Sequence, residues 1–416
     1  MELNKVKLSK KCRLMKVCGI NIIGNPDTGE IIGLDYDGEK LLFELKKGLQ
    51  LTTTHISDTQ KKLLTALLNG GYIDGNEKTE NRKQLNTAYL HVTSRCNLNC
   101  EGCYSYEQKR NEMIDLPILD IKNILDKLAA VNIKNLILSG GEPFLRDDIT
   151  EILKYAKEEL NIKSLYCITN GMFPAENYLN VSKYTDRIIF SLDGVDEESS
   201  TIRSGGVHKH VVDNIKILKS MKIMVALIFT LHSKNLKIYK QMGDFAKELG
   251  IPFNYSLLAV NRRHEHPSEL RFTKNDYNYL HDIIKNESNP NIDDSSLKQG
   301  LCCKLSCGAG KTMLGIGSDG GVYPCHMFIY NDDFLIGSAL NDDIHNILGS
   351  KVNKFSLLDV ENIPFCEGCE VKYLCGSGCR YRSYMESEDL YGVDALCSSY
   401  KYHIEQTVKK LAGIHE

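Results

Sequence analysis

The feature that most constrains this chain is where its cysteines fall. Of fifteen, three lie within residues 96–103 and nine within 302–397. Cysteines used as small core hydrophobes have no reason to gather in two windows, whereas thiols that share a metal do. The first window reads Cys96-Asn97-Leu98-Asn99-Cys100-Glu101-Gly102-Cys103. Three thiols on one short loop can hold three corners of an iron–sulfur cube and leave one iron without a protein ligand. A zinc site wants a fourth protein ligand, or an open position if it is catalytic. The odd total argues against complete pairing within the chain, and in a reducing cytosol so many thiols point to metal or redox chemistry more than to disulfides.

Length and charge bound the rest. A chain of 416 residues predicts two or three domains. Its net charge of -3 gives no electrostatic case for nucleic acid or a membrane surface as partner. No run approaches the ~20 apolar residues of a membrane span. The N-terminal lysines precede no apolar signal region, so the expected home is cytoplasmic.

The hydrophobic pattern divides the chain into three stretches. Over 1–84 an apolar run at 17–23, a turn at 25–29 and a second strand at 31–34 read as a hairpin. Leucines at 41, 42, 45, 63, 64, 67 and 68 follow at helical spacing, which predicts a winged-helix-like module ended by a linker at 74–84. Over 85–300 strands expected at 88–92, 135–139, 164–169, 187–192, 223–230 and 252–257 alternate with helices at 117–131, 147–160, 207–221 and 236–249. That alternation predicts an α/β architecture, a parallel sheet closed into a partial barrel of six units. Over 301–416 the alternation gives way to cysteine, glycine and short apolar fragments.

The expected strand ends carry Gly140-Gly141-Glu142-Pro143, Thr169-Asn170-Gly171 and Ser191-Leu192-Asp193-Gly194. Ligands of parallel barrels bind at such ends, so these groups should face the Cys96–Cys103 loop across one mouth. Arg262, Arg263, His264 and His266 follow the sixth strand, where solvation is the simpler reading of their charge.

With its CxxxCxxC loop and its GGEP sequence after the second strand, the chain resembles the radical S-adenosylmethionine (radical SAM) superfamily. The resemblance implies that Cys96, Cys100 and Cys103 hold a 4Fe-4S cluster whose open iron takes S-adenosylmethionine. It implies that Glu142, or the backbone at Gly140 and Gly141, binds the cofactor's ammonium, with Asn170, Ser191 and Arg203 as candidates for its ribose and carboxylate. It also implies a one-electron donor such as ferredoxin or flavodoxin. One departure is Gly102, where the family usually has an aromatic; adenine packing then rests on backbone or on Tyr104.

The second window resembles the seven-cysteine SPASM domain, which carries two auxiliary 4Fe-4S clusters, for three in all. Carried over, Cys366, Cys369, Cys375 and Cys397 hold the far cluster and Cys307, Cys325 and Cys379 the near one, with Cys302 or Cys303 as a fourth ligand. Relatives that mature sulfatases place an aspartate base after the cysteine that here is Cys325. This chain has His326 there, either a proton acceptor or a hydrogen-bond partner of the cluster sulfurs. The N-terminal module is similar to leader-recognition elements of enzymes that modify ribosomally made peptides, which bind a leader as an added strand. The expected function is a peptide maturase forming a cross-link, as a thioether. The alternatives are a sulfatase-maturing or tetrapyrrole-modifying relative, and a non-enzymatic iron–sulfur or zinc scaffold with a DNA-binding head.

Overall fold

The computed structural model describes residues 6–50, 56–75, 85–203, 205–258, 268–286 and 301–414. The linker at 76–84 and Arg262, Arg263, His264 and His266 lie outside them. The N-terminal sheet is antiparallel in the order β1 (Arg13–Val17), β2 (Ile20–Gly24), β3 (Ile31–Leu34). The apolar run expected as one strand is therefore broken. Val17 pairs with Ile20, and the two residues between them, Cys18 at φ 51° and Gly19 at φ 82°, are both left-handed. A two-residue loop with positive φ at both positions matches the twist of a hairpin, and apolar periodicity cannot reveal it.

Helices α1 (Tyr36–Lys47) and α2 (Asp58–Asn69) follow, each started by a side-chain cap. Asp35 accepts from the Gly38 amide at 2.8 Å, and Ser57 and Gln60 form a reciprocal capping box. Their leucines 41, 42, 45, 64 and 67 close over Ile23, Leu49, Tyr72 and Ile73. The other face of the sheet is also apolar. Met15, Val17 and Ile22 share a core with Cys303, Val371, Leu374, Ile404 and Val408, so the module is fused to the C-terminal third by packing worth roughly 2 kcal/mol per large side chain.

The central sheet runs in chain order through six parallel strands: β4 (Thr87–His91), β5 (Asn135–Ser139), β6 (Ser164–Thr169), β7 (Arg187–Leu192), β8 (Val225–Leu231) and β9 (Phe253–Leu257). Helices α3 (Ile118–Ala130), α4 (Ile149–Lys154), α5 (Ala175–Ser182), α6 (Val207–Ser220) and α7 (Tyr239–Glu248) connect them. Alternate residues such as Ile188, Phe190 and Leu192 are buried against helix residues Val207, Val211 and Ile215. The intervening ones, Arg187, Ile189 and Ser191, therefore line the opposite face, the inner one. α5 was not expected, since its eight residues bury only Tyr178 and Val181. α8 (Lys274–Asn286) was also missed.

The sheet does not end at β4. β10 (Met313–Ile316) pairs parallel to it, and β11 (Gly321–Tyr323) and β12 (Gly337–Ser338) continue antiparallel, giving nine strands. Here the sequence reading, which saw the strand pattern fade over 301–416, is corrected: the strands are two to four residues long, too short to show a period. Helices α9 (Ile344–Gly349), α10 (Lys372–Cys375), α11 (Arg380–Ser387) and α12 (Cys397–Leu411) complete the chain. Among the described residues no helix is long and apolar enough to cross a membrane.

Candidate active site

Beyond β4 the chain crosses the C-terminal end of the sheet as the loop 92–103. It is seated on the turn after β5, where the Gly141 amide donates to the Thr93 carbonyl and the Glu142 amide to the Arg95 carbonyl, both at 2.8 Å. A Cβ on Gly140 would stand 2.3 Å from the Thr93 oxygen, and one on Gly141 2.1 Å from the Arg95 oxygen. The paired glycines are thus required by the close approach of two backbones. Glu142 is wholly buried beneath this contact. Its carboxylate accepts from the Asn170 amide at 2.7 Å, Thr169 Oγ1 at 2.9 Å and the Phe144 amide at 3.2 Å. Burial raises it to about 7, against those three hydrogen bonds. The side chain ties the turn after β5 to the end of β6 under the loop.

Each thiol of the loop meets a side-chain N–H donor, and Cys96 Sγ also accepts from the Leu98 amide at 3.5 Å. Asn170 Nδ2 lies 3.8 Å from Cys96 Sγ, Arg203 Nη1 3.8 Å from Cys100 Sγ and Arg110 Nη1 3.9 Å from Cys103 Sγ. Burial pushes the Cys100 thiol up to about 11, while Arg203 pulls it down. Arg203 also pairs at 2.7 Å with Asp193, which is wholly buried. Asn170 further donates to Asn97 Oδ1 at 2.7 Å. Ser191 is half-buried near the end of β7, on the inner face. Gly102, at φ +72°, is covered by Leu258, whose Cδ1 is 3.2 Å from a built Cβ. Leu258 supplies apolar surface that no motif announced, and Arg110 was likewise missed, because neither belongs to a spaced pattern.

The second window separates into two sets. Burial pushes the Cys325 thiol up, and Cys379 and Cys307 push the same way. Cys397 is raised to about 11 by burial, with Cys369 and Cys366 adding to it, and Cys375 to about 12, with Cys397 adding. Cys325 thus lies near Cys379 and Cys307, and Cys397 near Cys369, Cys366 and Cys375. Asp394 joins them: its carboxylate accepts from the Cys379 amide at 2.5 Å and from Arg382 at 2.9 Å. Cys303 is wholly buried in the core shared with the N-terminal sheet, its Sγ 2.6 Å from a Cβ built on Gly24. Cys307, Cys325 and Cys379 belong to a different cluster around Phe328 and Phe355. Cys302 is half-buried.

His326 stands where the two windows meet. Its ring stacks on Tyr89 of β4 at 4.1 Å and meets Tyr104 edge-on at 5.8 Å. Tyr104 Oη is 3.3 Å from Nε2 of His91. Tyr104 therefore points toward the β4–β10 seam.

Comparison with known proteins decides the family. The Radical SAM superfamily model matches residues 90–246 and that of the SPASM iron-sulfur cluster-binding domain residues 307–370. The chain belongs to the radical SAM superfamily. It is an enzyme family, and this member carries a SPASM domain. A cysteine-type anaerobic sulfatase-maturating enzyme of Clostridium novyi is 28% identical, over 80% of this chain and 97% of its own. The antilisterial bacteriocin subtilosin biosynthesis protein AlbA of Bacillus subtilis is 25% identical, over 69% and 67%. The structure of Streptococcus suis SuiB bound to precursor peptide SuiA matches with a TM-score of 0.59 at 15% identity, over 94% and 98%.

The radical SAM residues present fit a 4Fe-4S cluster and S-adenosylmethionine. Three half-buried thiols share one loop at the sheet mouth, and each sulfur meets an N–H donor of the kind that stabilises thiolate charge. When bound, the cluster supplies the electron that splits the sulfonium of S-adenosylmethionine into methionine and a 5'-deoxyadenosyl radical.

Proposed function

We propose that this radical SAM/SPASM enzyme is a peptide maturase that cross-links a ribosomally made precursor, forming a thioether between a cysteine sulfur and a carbon. The observation that carries this reading is the N-terminal module. Its β3 is an edge strand, and beside it a groove of about 460 Å³ is lined by Gly33, Leu34, Gln60, Leu63 and, from the C-terminal helix region, Ala412. An open edge next to an apolar groove suits a leader peptide added as a fourth strand. The likeness to SuiB spans 94% of this chain, whereas that to the sulfatase-maturating enzyme spans 80%.

In the reaction the S–C bond forms while an S–H and a C–H bond break. The carbon's hydrogen would leave as an atom to the 5'-deoxyadenosyl group, the thiol hydrogen as a proton to His326, and one electron would pass from the peptide to an auxiliary cluster held by the SPASM cysteines. Cys96, Cys100 and Cys103 hold the catalytic cluster, and the backbone of Gly140 and Gly141, with Asn170 and Ser191, holds S-adenosylmethionine against it. Arg203 steadies the loop through Cys100. His326, held by Tyr89 and Tyr104 beside the mouth, takes the proton. The seven SPASM cysteines hold two auxiliary clusters, and ferredoxin or flavodoxin delivers the reducing electron.

Sulfatase maturation is the second reading, favoured by the 28% identity over 97% of that enzyme. Anaerobic incubation of the reconstituted enzyme with a cysteine-containing precursor peptide separates the two. Loss of two hydrogens, with the cysteine no longer alkylated, is expected. Formylglycine in a sulfatase peptide, or loss of carbon dioxide from the precursor, would sink the thioether reading.

A further inference from the structure

Arg110 is 5% exposed, behind the cysteine loop in a single turn of 3-10 helix. Its guanidinium donates to the Leu98 carbonyl and to Cys103 Sγ, and lies 5.4 Å from the Tyr106 ring centre. Among the described residues no carboxylate pairs with it. Arg203, the other guanidinium at this loop, is neutralised by buried Asp193 at 2.7 Å. A buried positive charge without a counter-anion is costly, and neither a carbonyl nor an aromatic face cancels it. Three thiolates around a 4Fe-4S core would supply the missing anion. The core and thiolates together carry one negative charge when oxidised and two when reduced. A fixed positive charge at Cys103 favours the more negative state.

We propose that Arg110 is the counter-charge of the cluster on Cys96, Cys100 and Cys103 and raises its reduction potential, making it reducible by the donor. This rests on the assignment of that cluster to those cysteines. Arg110 contacts the Cys103 thiol and acts through the cluster, so it is a positioning residue. Arg203 contributes less net charge, because Asp193 is paired with it.

The test is a redox titration of the reconstituted full chain followed by electron paramagnetic resonance, the catalytic cluster being picked out by its spectral change on adding S-adenosylmethionine. Arg110→Gln is expected to lower the potential so that the reduced fraction falls at least about tenfold at fixed potential, which is 59 mV for one electron. Arg110→Lys, which keeps the charge, is expected to stay within about threefold of wild type. An unchanged potential in Arg110→Gln, or equal shifts in both variants, overturns the inference. A wild-type protein with no S-adenosylmethionine-sensitive signal overturns the cluster assignment instead. If a variant fails to hold the cluster, wild-type protein labelled with ¹⁵N in its arginine guanidinium groups decides. A nitrogen coupling to the reduced cluster that persists in Arg203→Lys supports the contact, and no coupling in wild type refutes it.

Discussion

Gly141 has no room for a methyl group, because the Arg95 carbonyl occupies the place at 2.1 Å. Gly141→Ala must push the loop carrying Cys96 off the turn after β5, a kind of overpacking that costs about 1–3 kcal/mol. Because the loss falls on the cluster loop itself, cleavage of S-adenosylmethionine should drop by about tenfold or more, with less iron bound; assay of 5'-deoxyadenosine and iron checks this. His91 carries a different consequence. Wholly buried, it is pushed down to about 3 by burial, with His326 adding. It stays neutral in the folded chain while the unfolded chain protonates near ~6.5. Its contribution is therefore complete above that pH and is lost as pH falls toward 3, about 2 kcal/mol between pH 7 and 5. Denaturant titrations at both pH values should show a smaller acid loss in His91→Gln than in wild type; equal losses would mean that another group governs it.

At the scale of elements, legibility followed the length of the repeating pattern. The bounds expected for 135–139, 164–169 and 187–192 coincide with β5, β6 and β7; in β6 and β7 alternate residues are buried against the helices and the intervening ones are half-buried on the inner face. A motif tied to covalent spacing was equally readable: the Cys96–Cys103 loop is seated on the turn that carries Gly140 and Gly141. What spacing cannot convey is the long-range contact: the pairing of β10 with β4, the buried Arg110, and the thiol at 303. Cys303 lies among Met15, Val17 and Ile22 of the N-terminal sheet. Cys303→Ser should keep its iron content while losing about 1–3 kcal/mol of stability, through a hydroxyl placed in an apolar core. A loss of roughly four irons would instead make Cys303 the fourth ligand of the near cluster.

Over the whole molecule, three segments meet at shared surfaces. The SPASM strands extend the barrel sheet through β10, so that the residues after Cys325 stand beside the strand that leads into the Cys96 loop. The N-terminal sheet packs on the same C-terminal third, near the far thiols, through Val371 and Leu374. A leader bound at β3 would thus be held by the body that also carries the auxiliary clusters. On the proposed reading, the three-thiol loop is where an incompletely ligated iron would meet the sheet mouth. The most direct measurement is made on the variant with Cys96, Cys100 and Cys103 all changed to alanine, reconstituted anaerobically and reduced with S-adenosylmethionine present. Formation of 5'-deoxyadenosine should be abolished while roughly eight of twelve irons remain bound. Continued cleavage of S-adenosylmethionine by that variant would contradict the account.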